Sequence, residues 1–180
     1  MSSYEQVRHT FEPVYDEKSR ILILGTFPSV KSREQNFYYG HPQNRFWKLL
    51  AALTGFKIPV TIEEKKELLL KNQIAVWDVI ESCEIIGSSD SSIRNVVPAD
   101  LNRILKASSI QKIYANGGKA FELYEKYAIL TSDGIQKRYF DVAKRRSEIE
   151  VVEEYLLVSV ANFNGNVNKN SISVCKDTKN

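Results

Sequence analysis

Three short apolar runs recur along the chain: Ile21-Leu22-Ile23-Leu24, Ile74-Ala75-Val76-Trp77-Asp78-Val79, and Ile110-Gln111-Lys112-Ile113-Tyr114-Ala115. The first is apolar throughout, partly β-branched, and stops at Gly25, which is the pattern of a strand covered on both faces. Helical spacing fills the intervals. Its clearest instance covers residues 61–71, where Thr61 caps the start, Glu64 three residues on completes a capping box, and Leu68 and Leu69 turn toward the sheet. Further helices are expected over residues 44–53, 99–106 and 119–127. Strand and helix alternating in this way predict an α/β, doubly wound domain with a parallel sheet.

In such sheets ligands lie beyond the carboxyl ends of the strands, so the residues just past each run are the ones to search. They are Gly25-Thr26-Phe27-Pro28-Ser29 after the first, Ser82 and Gly87-Ser88-Ser89-Asp90-Ser91-Ser92 after the second, and Asn116-Gly117-Gly118 after the third. Three polar, glycine-bearing loops are thereby expected on one rim. None matches a dinucleotide fingerprint or a phosphate loop ending in Gly-Lys-Ser/Thr, and a nucleotide-binding enzyme loses support.

Composition narrows the reading further. At 180 residues, 43% hydrophobic and 26% charged, the chain suits one globular domain. No apolar run approaches the ~20 residues of a membrane span. The opening residues mix charge with polarity and lack a secretory signal's apolar core, so a cytoplasmic protein is expected. Two cysteines, Cys83 and Cys175, and two histidines, His9 and His41, leave few parts for a metal site, and neither metal nor cofactor is expected. A net charge of +3 permits a polyanionic partner without identifying one.

The chemistry becomes specific in longer motifs. Gly25-Thr26-Phe27-Pro28-Ser29 followed by Tyr38-Tyr39-Gly40-His41-Pro42-Gln43-Asn44-Arg45-Phe46-Trp47 resembles the uracil-DNA glycosylase superfamily. Trp77-Asp78-Val79-Ile80, Gly87-Ser88-Ser89-Asp90-Ser91-Ser92-Ile93 and Ala115-Asn116-Gly117 make it similar to the branch of DNA-deoxyinosine, or hypoxanthine-DNA, glycosylases. The resemblance spans roughly residues 8 to 128. It implies a three-layer sandwich with a central four-stranded parallel sheet flanked by helices, a flipped base held at the strand ends, and hydrolysis of the N-glycosidic bond without cofactor. The partner implied is DNA containing a deaminated base, met by a monomer with no membrane association.

Many superfamily members carry Asp or Asn where this chain has Phe27, and a phenyl ring cannot position water. The resemblance therefore moves the catalytic role to Asn44 and casts Phe27 as a stacking platform, with Gly25, Thr26, Pro28, Tyr39 and His41 completing the base pocket. Asn116 corresponds to a base-reading asparagine whose amide offers both a donor and an acceptor. Each has a structural alternative: Asn44 as a helix cap, Asn116 as a turn residue, Phe27 and Tyr39 as packing. Ser29, Ser89, Ser91, Ser92 and Arg94 are candidates for binding DNA phosphates, or else belong to a solvated turn. Lys137, Arg138, Lys144, Arg145 and Arg146 form a basic run that could add electrostatic affinity for DNA, although such a run is more often a wet helix face. No lysine lies in the pocket motifs, which points to water as the nucleophile.

The family's second active-site loop, of Leu-Pro-Ser-Thr-Ser-Pro-Ala type, has no counterpart in the sequence. Nearest is Val158-Ser159-Val160-Ala161-Asn162 after Tyr155-Leu156-Leu157, with Ser159 as its DNA-binding candidate. One domain over residues 1–163 is expected, divergent from 129 to 163, with a flexible tail at 164–180. A catalytically impaired relative that binds lesions without cleaving them is the alternative function.

Overall fold

An apolar run with no polar position to turn outward must be covered on both sides, and that requirement organises this chain. The computed structural model describes residues 3–128. Its strands are β1 (Glu5–Arg8), β2 (Ile21–Gly25), β3 (Ile74–Asp78), β4 (Ile80–Ile85), β5 (Arg94–Pro98) and β6 (Lys112–Ala115). Its α-helices are α1 (Val30–Gln35), α2 (Phe46–Thr54), α3 (Ile62–Lys71), α4 (Asn102–Ala107) and α5 (Gly118–Leu123). Every residue of β2 and β3 is buried.

Strand β2 is the centre of a three-stranded parallel sheet ordered β3-β2-β6. Leu50, Ala51 and Leu53 of α2 join Leu68 and Leu69 of α3 in the core that covers it. Helix α3 starts where the capping box places it: Thr61 Oγ1 accepts from the Glu64 N–H at 3.1 Å, and Glu64 Oε2 accepts from the Thr61 N–H at 3.1 Å. Helix α2 begins at Phe46, whose N–H donates to Asn44 Oδ1 at 2.9 Å. The last expected helix is split, with α5 followed by a π-helical turn at Tyr124–Ala128. Helix α1 was not foreseen, because Val-Lys-Ser-Arg-Glu-Gln carries no apolar stripe; Ser29 caps it by accepting from the Ser32 N–H at 3.2 Å. Among the described residues no helix is long and apolar enough to cross a membrane.

The expectation of one central four-stranded parallel sheet needs correcting. The described residues form two three-stranded sheets, the parallel one and an antiparallel one ordered β1-β4-β5. The second apolar run does not end at its strand: one residue after β3 the chain enters β4, which alternates buried Ile80, Cys83 and Ile85 with partly exposed Glu81, Ser82 and Glu84. Such a half-exposed strand pairs antiparallel, here with β1 in the register Val7↔Cys83 and with β5 across a bulge. Neither β1 nor β5 has the continuous apolar run by which the parallel strands announce themselves. Tyr155-Leu156-Leu157, the expected tail and the basic run from Lys137 to Arg146 lie outside the described residues.

The parallel register sets the geometry of the carboxyl edge. Gly25 pairs with Asp78 across β2 and β3. On the other side Leu24 pairs with Ala115, and the Asn116 N–H donates to Leu24 O at 2.7 Å, so Asn116 comes level with Gly25. One row across the sheet therefore reads Asp78, Gly25, Asn116. A Cβ on Gly25 would stand 2.2 Å from Asp78 Oδ1, far inside any tolerable contact. We predict that Gly25→Ala destabilises by about 1–3 kcal/mol through overpacking. In urea denaturation the Gly25→Ala/Asp78→Ala double variant should lose less than the sum of the singles by about 0.5 kcal/mol or more, the mark of residues that share one space. Strict additivity would refute the steric account.

Candidate active site

A cleft of about 250 Å³ opens over the Asp78, Gly25, Asn116 row. Gly25, Thr26, Phe27, Pro28 and Ser29 line it together with Asn44 and with Asn116, which follows the end of β6, an edge strand among the described residues. Elements far apart in sequence thus bring both amides and Phe27 to one space. Asn44 is partly buried, one residue before the Arg45 N-cap of α2, and its carbonyl oxygen takes the Phe46 N–H. That bond leaves its two N–H donors and a second carbonyl lone pair. Asn116 is exposed at the end of β6, just before Gly117, which adopts φ 117°. Phe27 is only 9% exposed: most of its ring is packing, with the Arg33 guanidinium 5.8 Å from its centroid.

Tyr39 is held in a strained conformation. Its φ of 51° is left-handed, which for a bulky residue costs of order 1–3 kcal/mol and persists only where surroundings impose it. Stacking on Phe46, with centroids 3.7 Å apart, is part of that imposition. The Tyr39 hydroxyl is buried and completes no hydrogen bond among the described residues. Burial first, then the Asp78 charge, push its pKa up, while the nearby Asn116 amide pulls it down. Tyr38 also lines the cleft, donating through its hydroxyl to Glu12 O at 3.0 Å.

Two carboxylates face the same space, and neither was among the expected site residues. Asp78, 5% exposed, accepts from His9 Nε2 at 2.8 Å. The His9 ring is boxed by Trp77 and Phe11 at centroid distances of 4.3 and 4.5 Å, and its Nδ1 has no partner among the described residues. Asp90 accepts from Thr26 Oγ1 at 3.1 Å. Its pKa is raised, chiefly by desolvation of the carboxyl in the cleft and then by Asp78, against the Thr26 hydrogen bond and the Lys119 charge. A signal for Asp78 exists in the sequence: an Asp closing an apolar strand is costly to bury without a purpose. Its partner His9 lies 69 residues away on a segment with no distinguishing pattern.

The remaining expected residues divide. His41 is exposed and outside the cleft lining, its Nδ1 accepting from the Gln43 N–H at 3.2 Å. Ser29 lines the rim while capping α1. Ser89, Ser91 and Ser92 bond among themselves: Ser89 Oγ meets Ser91 Oγ at 2.9 Å, and Ser92 Oγ donates to Ser89 O at 2.7 Å. Arg94 pairs with Glu84 at 2.7 Å and stacks 3.5 Å over Tyr4, on the antiparallel sheet. From that serine loop it is Asp90 that reaches the cleft. Ser159 lies outside the described residues. No three His, Cys, Asp or Glu side chains among the described residues are grouped to hold a metal ion.

Residues 12–165 match the family model described as the uracil DNA glycosylase superfamily. A hypoxanthine DNA glycosylase of Methanosarcina barkeri is 34% identical over 141 residues, covering 71% of this chain and 87% of the relative. A second hypoxanthine DNA glycosylase, from Methanosarcina acetivorans, is 34% identical over 156 residues, covering 81% and 98%. The fold also superposes, with a TM-score of 0.67 and 28% identity, on the solution NMR structure of a candidate uracil DNA glycosylase from Methanosarcina acetivorans, over 85% of this chain and 96% of that one. The family match takes in every strand end that builds the cleft, and the chain accordingly belongs to the uracil DNA glycosylase superfamily, in the branch of the hypoxanthine DNA glycosylases.

Proposed function

We propose that this chain is a monofunctional DNA glycosylase that excises a deaminated base, hypoxanthine with uracil as the alternative, and so opens base excision repair. The observation that carries the reading is the convergence of Asn44, Asn116 and Phe27 on one cleft at the carboxyl edge of the parallel sheet. Kinship with enzymes named for hypoxanthine favours an active glycosylase over a lesion-binding relative.

A base inside a duplex is out of reach, so the nucleotide is flipped into the pocket at a cost of a few kcal/mol, least for a mispaired base. In the cleft, the C1′–N bond breaks with its electron pair leaving on the base, while water oxygen bonds to C1′ and gives up a proton that ends on the departing base. Asn44 orients that water: fixed by its bond to the Phe46 N–H, its amide is a positioned group and a weak base. Asp90 contributes negative charge near the sugar, where positive charge develops. No amine is among the described residues that line the cleft, which supports water over a Schiff base as the route.

The reading is tested with duplexes bearing deoxyinosine, deoxyuridine or no lesion, incubated with the protein and then treated with alkali. Breaks that need alkali and occur at deoxyinosine are expected; excision confined to uracil overturns the substrate assignment. Asn44→Ala should lower the single-turnover rate by about 10²–10⁴ while DNA affinity changes little. Asn116→Ala should change the ratio of hypoxanthine to uracil excision, because its amide meets the base edge. Borohydride added during turnover should trap no covalent adduct, and a trapped one would replace water with an amine nucleophile.

A further inference from the structure

Deamination rewrites one edge of a base. Hypoxanthine carries N1–H and a carbonyl where adenine carries a bare N1 and an amino group, and uracil differs from cytosine at N3 and position 4 in the same way. An enzyme for deaminated bases must therefore recognise a ring N–H that the parent base lacks. An asparagine discriminates poorly, because turning its amide over exchanges donor for acceptor. A carboxylate cannot be turned into a donor.

Resting on the glycosylase reading above, we propose that Asp78 is the group that accepts the ring N–H of the flipped base and sets the preference for deaminated over normal bases. Four observations support the assignment. Asp78 lines the cleft on the same row as Asn116, one strand to the other side of Gly25. Its Oδ2 is occupied by His9 Nε2–H at 2.8 Å, whereas Oδ1 accepts no hydrogen bond among the described residues. Oδ1 lies over Gly25, filling the volume a Cβ would need, so the close approach depends on glycine. The pair is deeply buried, His9 and Asp78 side chains being 1% and 7% exposed, where an unmet hydrogen bond costs most.

The division of labour follows. Asp78 accepts from N1–H of hypoxanthine, and Asn116 donates to the neighbouring carbonyl. With adenine, Asn116 can flip its amide to suit the amino group, but Asp78 then opposes the N1 lone pair with its own. His9 is a positioning residue: it holds the carboxylate so that the repulsion cannot be relieved by rotation.

The test uses the full-length protein and duplexes carrying a 2′-fluoroarabino analogue of deoxyinosine or of deoxyadenosine, whose fluorine suppresses bond cleavage. Each is placed opposite an abasic-site analogue, so neither is retained by pairing. The ratio of the two affinities is the readout. Wild type should prefer the inosine analogue by about 10- to 100-fold, the size of one good paired-edge discrimination. Asp78→Asn, isosteric and able to turn its amide over, should bring the ratio to within about threefold of unity. His9→Gln should lower the ratio by a smaller factor, and it serves as the deciding variant if Asp78→Asn does not fold. A ratio left at the wild-type value, or an equal loss of both affinities, overturns the proposal and assigns the pair a structural role. If the wild-type protein excises no deaminated base in the alkali assay, the glycosylase reading itself fails, an outcome distinct from a variant that excises hypoxanthine with its preference intact.

Discussion

The site rests on the contact between the Gly25 backbone and the Asp78 carboxylate. Parallel pairing sets the two residues side by side, and the missing side chain at Gly25 is what lets Oδ1 occupy the space between the strands. A methyl group there would push the carboxylate away or part β2 from β3. Everything else in the cleft is arranged around that row: Asn116 on the far strand, the loop from Thr26 to Ser29 continuing from Gly25, and Tyr39 with its hydroxyl 3.5 Å from where a Cβ would be. Position along the strand decides chemistry here, since a shift of one residue would turn Asp78 to the other face and replace it by Trp77 or Val79.

Several groups in the cleft are more useful to function than to stability. Asp78 and His9 are both taken out of water, a desolvation cost set against the one 2.8 Å hydrogen bond between them. Tyr39 adopts a left-handed φ and leaves a buried hydroxyl without a completed hydrogen bond among the described residues. The aromatic packing of Phe37, Tyr38, Phe46 and Trp47, joined to α2, supplies the rigid surroundings that hold such groups in place. Polar side chains held rigidly at the cleft are suited to meet those of a ligand.

Asn44 shows how one residue serves both ends. Its side-chain carbonyl starts α2 by accepting the Phe46 N–H, and the same bond immobilises the amide at the cleft. Support of the helix start and a place at the cleft are therefore compatible in one side chain. Phe27 is similar, being chiefly packing by area yet part of the cleft wall. The serine loop divides instead: the Ser89, Ser91 and Ser92 hydroxyls bond within the loop and its flank, Ser88 takes the Val30 N–H, and Asp90 is the member that enters the site.

By itself the sequence determined the parallel strands, the capped helix after Thr61 and the glycine-bearing loops, because each depends on local periodicity, capping chemistry or an abrupt end to an apolar run. Its motifs also carried the family and brought Asn44, Asn116 and Phe27 into consideration together. Only the tertiary structure decided that the half-exposed strands β1, β4 and β5 form their own antiparallel sheet, since short alternating segments are recognisable only once they have partners. It likewise excluded His41 from the cleft, admitted Asp78 and Asp90, and set His9 against Asp78 as its hydrogen-bond partner. The physical reason is that the reach of a side chain depends on register and on what packs behind it, and contacts spanning 64 and 69 residues leave no local pattern in a chain.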